Sequence, residues 1–563
     1  MKYFKIKHIA LLLAVTSAPL YTACDFMDCS ETDYYSKQQI LDNMDRVKQL
    51  ATQVYSYLPH DFCNTSGAMQ DAATDDAIHV YESSAIQRFV NGTWSANYVF
   101  GTYYNAIHDA NFYLENCVGL TFDEWKYSDG FADDYKSYLN YEHEVRFLRA
   151  FYYFELVKRY QNIPLITKTL TQEEANEAEP SDAVTILNFI ISECTDLAND
   201  KLPVNYNNMP GGEGNLQRAT KGMALALKAR ASLYLASPLY SADDTQKWKN
   251  AAQAAYDLIS QAGTLGYSLD PKYSNLYGAT NNQSKEVIMC RPTGASTSFE
   301  SANFPMGVTK GSTTTCPTEN LVSAYEMTDG TAFDWSNAEM AKDPYANRDP
   351  RLGMTVVYNG MAWPKTTPVE VFEGGKNGQP IKNATTTGYY LRKYVNNSVT
   401  FEPGETTTSQ QHNWILFRYA EILLNYAEAM VNAYGDPDYT GSYSLSARDA
   451  VNQVRNRGDV KMPAYPTDMK KDAFLKRLRN ERRVEFAFEG QRFWDLRRWK
   501  LGEKYFGVYP RGLNVEATKD EDFFKDTQMT SHIREFRTPA NYLMPIPVDQ
   551  VSNNPQMVQN PGY

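Results

Sequence analysis

Only 7 of the 563 residues are cysteine and 7 are histidine. No two cysteines are spaced as CxxC, and no histidines are placed to complete a zinc set, so no metal is expected. There is no GxSxG elbow, no P-loop and no HExxH. Their absence removes the usual sequence handles for acyl transfer, phosphoryl transfer and metalloprotease chemistry, and no cofactor is implied. Lys and Arg form no cluster outside residues 480–499, and the net charge is −12. Such a balance argues against nucleic acid as a partner and suits neutral ligands better. No apolar run approaches the roughly 20 residues that a membrane-spanning helix needs. The cysteines after Cys24 are Cys29, Cys63, Cys117, Cys194, Cys290 and Cys316. Their spacing selects no disulfide pairing, and a core of this size does not need one.

The amino terminus carries Lys2, Lys5 and Lys7, then the apolar run Ile9 to Val15, then Leu20-Tyr21-Thr22-Ala23-Cys24. A basic start, a short apolar core and a small residue before a cut site describe a secretory signal over residues 1–23. Cys24 stands where a lipoprotein leader positions its acylated cysteine, although Tyr21 occupies a site where Leu is usual. Acyl chains on Cys24 would be the only membrane anchor; the alternative is cleavage nearby without lipid.

Residues 480–499, NERRVEFAFEGQRFWDLRRW, concentrate charge and aromatic bulk. Read as one helix, they align Glu481, Glu485, Glu489 and Arg492 on one face, with Arg482, Phe486 and Phe493 on a neighbouring stripe. Interleaved carboxylates and guanidinium groups point to a buried structural ion network rather than to catalysis. In DPYANRDPRL, residues 343–352, Asp349 and Arg351 are read as fixing the chain where it re-enters the scaffold.

The 480–499 segment resembles the carboxy-terminal signature of the SusD/RagB family. RFLRAFYYFELVKRYQNIPLIT at 146–167, RYAEILLNYAEAM at 418–430 and YLMPIPVDQVSNNPQMVQNPGY at 542–563 resemble the same family, in the right order. The resemblance implies an outer-membrane lipoprotein with a mainly α, tetratricopeptide-like scaffold of helical pairs. It also implies a glycan ligand and a SusC-like TonB-dependent transporter as partner, over which such proteins form a lid facing the cell surface.

The residues support a helical frame directly. Tyr419, Ile422, Leu423, Tyr426, Ala427 and Met430 recur at helical spacing, as do Tyr104, Ile107, His108, Asn111 and Leu114, and Tyr141, Val145, Leu148, Tyr152 and Leu156. Within these stripes His108 and Asn111 are expected to be hydrogen-bonded core residues. The runs Thr220 to Leu235 and Trp248 to Ile259 are rich in Ala and Leu, which lets helices approach closely. No clean 34-residue period is present. Between Leu265 and Gln410 the pattern changes to Gly, Pro, Thr and Asn with brief apolar runs, which reads as loops with short strands. The expected layout is one domain over 24–563, with scaffold at about 35–262 and 410–500 and a loop-rich, ligand-binding region at about 265–410.

Sugars present flat C–H patches beside hydroxyls, so a site for them needs an aromatic face and directional polar groups. Trp335, in an irregular segment after the Asp329-Gly330 turn, is the leading candidate. Trp94, before a helix expected near Asn97, and Trp363, before Pro364, follow. Phe304, Tyr81 and Asp75 complete the set. The reading is capture of an oligosaccharide or polysaccharide without chemistry. A glycoside hydrolase with two carboxylates across a cleft and a helical scaffold that binds only protein are the alternatives.

Overall fold

The computed structural model describes residues 35–563 except 98–102, 208, 210–216, 243 and 518–520; Cys24 and the leader lie outside the described residues. Its frame is a stack of helices. Helices α1 (Met44–Tyr55) and α2 (Tyr104–Asn116) lie against α3 (Phe131–Tyr160), and α3 lies against α4 (Ala183–Ala198). The stack continues through α5 (Lys221–Ala236) and α6 (Thr245–Ile259). The next neighbour of α6 is α7 (Tyr419–Tyr434), although residues 260–418 intervene in sequence. Helix α7 then contacts α8 (Ala447–Arg455) and α9 (Lys471–Glu485). The chain thus leaves the stack after α6, makes a long excursion, and returns beside the point of departure.

Local chemistry explains these elements. The Thr220 hydroxyl accepts from Met223 N–H at 3.3 Å to start α5, and the Asp182 carboxylate accepts from Thr185 N–H at 2.9 Å to start α4. Gly435, with φ +78°, stops α7 in the left-handed region. The six apolar-stripe residues named for α7 are all buried. Helix α5 is buried on every side, because Ala224, Ala226, Ala229 and Ala231 let its neighbours close in.

The excursion is tied down by short antiparallel ladders. Strand β1 (Ala77–His79) pairs with β3 (Thr315–Pro317), and β2 (Val287–Pro292) pairs with β4 (Asn413–Arg418), which runs directly into α7. A hairpin of β5 (Arg511–Ala517) and β6 (Asp522–Gln528) follows later in the chain. Cys63, Cys117, Cys194, Cys290 and Cys316 are free thiols.

The structure divides the 480–499 segment, which the helical spacing reads as one helix. Helix α9 ends at Glu485, a turn follows, and α10 (Gln491–Arg498) begins anew. Phe488 takes φ +58° and its N–H donates to the Asp71 carboxylate at 3.1 Å. A partner from the far end of the chain replaces the helical ladder there.

The turn does not disperse the charges; it gathers them. Arg418 donates to Glu286 at 2.8 Å, to Glu485 at 2.7 Å and to Glu489 at 2.8 Å. Arg351 reaches Asp349, Glu481 and Glu485, each at 2.7 Å. Arg457 adds contacts to Glu286 at 3.0 Å and Glu485 at 2.9 Å. All of these side chains are buried. Burial alone would raise the Glu485 pKa, but Arg457, Arg418 and Arg351 reverse the effect and hold it well below the usual carboxylate range. The structural reading of Asp349 and Arg351 holds.

Two outcomes follow from this packing. Arg418→Met takes one cation from each of three buried carboxylates, leaving Glu286, Glu485 and Glu489 with Arg457, Arg351 or Lys393 alone, and should lower the unfolding free energy by about 3–5 kcal/mol, read from urea denaturation. Asp71 is pushed up to about 7, by burial and then by the negative charge of Asp76, whereas an unfolded Asp ionises near pH 4 or about 3.9. Between those values the unfolded chain releases a proton that the native chain retains, so this group costs stability as pH rises. Asp71→Asn removes that dependence, and denaturation between pH 4.5 and 7.5 should show its advantage over the parent growing by on the order of 2–4 kcal/mol and then levelling.

Candidate functional site

Four of the six predicted site residues are built into the interior. Trp94 is 2% exposed and packs on Phe89, with centroids 4.5 Å apart, and on Phe493. The helix after it begins at Tyr104, not near Asn97. Trp363 is buried under the Arg392 guanidinium, 4.9 Å from its centroid. Phe304 is buried edge-on to Phe401. Asp75 is buried and held by Arg492 at 2.8 Å and Arg483 at 2.9 Å, which lower its pKa against the opposing effect of burial. The expectation that these four face solvent is corrected. The physical reason is shared: apart from Phe89 beside Trp94, the partners come from residues 392–401 and 483–493, distant in sequence, so local pattern does not announce the burial.

Trp335 remains half-exposed on an irregular segment. Its loop is rigid. Asp329 accepts from Thr331 N–H at 2.8 Å, and Asp334 accepts from Ser336 N–H at 2.9 Å, so the indole stands between two side-chain-stabilised turns. Gly330 has φ +83°, and a Cβ there would sit 2.8 Å from Pro463 Cγ, so only glycine lets the turn close against its neighbour. Arg477 donates to the Gly330 carbonyl at 2.7 Å. The indole Nε1–H donates to Glu319 at 2.9 Å. Glu319 is buried and also accepts from Tyr389 and Ser323. Burial raises its pKa, and these hydrogen bonds partly offset the rise. Phe333 meets Trp335 edge-on, with centroids 5.2 Å apart. The ring is tethered through its Nε1–H while the residue stays partly exposed, with exposed Thr331, Asp334, Ser336 and Asn337 around it.

Tyr81, also half-exposed, is a meeting point of loops. Its hydroxyl donates to the Ser312 carbonyl at 3.0 Å and accepts from Asn383 Nδ2 at 3.4 Å. Three stretches, near 81–84, 305–312 and 372–383, therefore converge there. The β1–β3 ladder links the two aromatics. Tyr81 follows β1, Glu319 follows β3, and the ladder pairs His79 with Thr315 and Ala77 with Pro317. At about 3.3 Å per strand residue, Tyr81 and the tether of Trp335 lie no more than about 20 Å apart.

Asn111 is buried as expected, donating to the Ile166 and Lys168 carbonyls. His108 differs, with 58% of its side chain exposed, because α2 buries Ala106, Ile107, Ala110 and Asn111 and position 108 falls outside that arc. Sequence reasoning also passed over Trp125 and Tyr127, exposed ahead of α3. The polar run around them, TFDEWKYSDG, was the available signal.

A helical stack carrying a long, loop-rich excursion finds its counterparts among known proteins. A sequence profile of the SusD family matches residues 246–563, more than half of the chain. A second profile, described as starch-binding and associating with outer membrane, matches residues 25–261. The chain belongs to the SusD family. It is 26% identical over 447 residues to SusD-like protein P2 of Formosa agariphila, covering 75% of this chain and 73% of that protein. A SusD-like protein from Bacteroides fragilis NCTC 9343 superposes with a TM-score of 0.75 at 26% identity, covering 94% of this chain and 99% of the other. A protein described as a SusD-like carbohydrate binding protein, from the same organism, superposes at 0.74 with 24% identity, covering 92% and 100%. Among the described residues no helix is long and apolar enough to cross a membrane.

Trp94→Ala should behave as a core lesion. A loss of about 3–5 kcal/mol in denaturation is expected, with retention on a glycan affinity gel unchanged in the fraction that stays folded.

Proposed function

We propose that this protein captures an oligosaccharide or polysaccharide on its loop face and passes it, chemically unaltered, to a SusC-like TonB-dependent transporter. Acyl chains on Cys24 tether it to the outer membrane, facing the cell surface. The observation that carries the reading is Trp335: a half-open indole whose Nε1–H is fixed by Glu319 at 2.9 Å and whose loop is braced at both turns. A flat ring already locked in place stacks on a sugar C–H face without the entropic cost of immobilising it. Tyr81 and the loops that meet at its hydroxyl supply a second contact. The carbohydrate-binding description of the Bacteroides fragilis relative points the same way. The acids of the signature are buried and occupied by guanidinium groups, which favours binding over hydrolysis. A site this shallow suits weak affinity, on the order of micromolar to millimolar Kd, and so suits hand-over.

Screening purified protein against plant, host and microbial polysaccharides identifies the ligand class. With a retained glycan in hand, Trp335→Ala should weaken binding by about tenfold, and Tyr81→Ala by less, in affinity electrophoresis. Release of reducing ends from that glycan, or full retention by Trp335→Ala, overturns the proposal.

A further inference from the structure

Beneath the segment 57–65 lies a cavity of about 420 Å³ to which neither Trp335 nor Tyr81 contributes. Its lining passes from exposed Asn64 and half-exposed His60 and Arg291 to Lys158 on α3 and Trp494 on α10. Tyr57, Tyr103, Trp414 and Trp494 give it apolar walls. A volume of this size falls within the range of about 300–1,000 Å³ typical of small-molecule sites.

Its charges do not balance. Lys158 Nζ and Arg159 Nη1 share one carboxylate, Glu155, at 2.5 and 2.6 Å. Lys158 thus keeps two N–H groups beyond that bond. Among the described residues Arg291 uses only Nη1, which donates to the Ser56 carbonyl at 2.7 Å and to the Leu58 carbonyl. Among the described residues no carboxylate pairs with it. His60 Nδ1 is buried with no hydrogen-bond partner among the described residues. The acids in the lining do not compensate. Glu489 is taken by Arg418 and Lys393, at 2.8 and 2.9 Å. Asp61 accepts from Gln70 N–H and Thr65 Oγ1, and burial pushes it well above the usual carboxylate range. Arg230 is matched by Glu421 at 2.5 Å. Burial lowers Lys158 to about 8, with Glu155 opposing the fall, so its ammonium persists at neutral pH.

We infer that this cavity binds a small organic anion, whose charge is balanced by Arg291 at the rim and Lys158 within, and whose body lies between the aromatic walls. An acidic chain therefore carries a cationic recess, and an inorganic ion alone would leave most of its apolar wall uncovered. The inference is independent of the surface site.

D-glucuronate titrated into the mature protein at pH 7, followed by calorimetry, tests it. Saturable binding at one site is expected, with none for D-glucose at equal concentration. Arg291→Gln and Lys158→Met should each weaken it at least about tenfold, and Trp335→Ala should leave it unchanged, which separates this site from the glycan surface. Should Lys158→Met fail to fold, Arg291→Gln, at the rim, decides alone. Absence of saturable binding, equal affinity for glucose or inorganic phosphate, or undiminished binding by Arg291→Gln overturns the assignment.

Discussion

The cluster of buried guanidinium groups around Glu485 joins parts of the chain that nothing else would bring into register. Glu286 precedes β2, Arg351 lies within the excursion, Arg418 closes β4, Arg457 follows α8 and Glu485 ends α9; all meet in one ion network. Net stabilisation by such a network is modest, because desolvation offsets most of the attraction. Its effect is on uniqueness. A buried carboxylate is tolerable only when its cations are present together, so partial assembly is strongly disfavoured and the loops dock on the helices in one arrangement. Asp71 extends the same constraint to the amino-terminal half, through the N–H of Phe488.

A frame fixed in this way permits a small recognition surface to be stiff. Glu319 lies just past β3, whose ladder with β1 connects it to the segment held by Arg483 and Arg492. From Glu319 the constraint passes to Trp335, and Arg477, on α9, holds the Gly330 turn from the other side. The indole is thus positioned by ion pairs and helices that also hold the fold. Little conformational freedom is left to lose when a ligand arrives.

The helical frame was legible because burial there is periodic. Tyr419, Ile422, Leu423, Tyr426, Ala427 and Met430 face one way on any helix, and all are buried. Aromatics in loops have no such internal signal. Trp94 and Trp335 look alike in sequence, each beside polar and glycine residues, yet Phe493 and Phe89 cover the first while the second keeps part of its surface open. The break at 486–490 was hidden for the same reason. EFAFEG ends in the breaker Gly490, at φ +70°, but what holds Phe488 outside the helical region is the Asp71 carboxylate, more than 400 positions away.

Because α6 and α7 are immediate neighbours, residues 260–418 form a closed excursion whose two feet stand side by side. Lengthening such a loop changes only its closure entropy, by roughly 0.6 kcal/mol for each doubling, and need not displace either foot. Insertions in exposed turns of the excursion, away from the ladders and from Glu286, Arg351 and Lys393, are therefore nearly neutral for the helical stack. The architecture separates what must stay constant from what is free to diverge, so a single frame can accept many loop repertoires without being rebuilt.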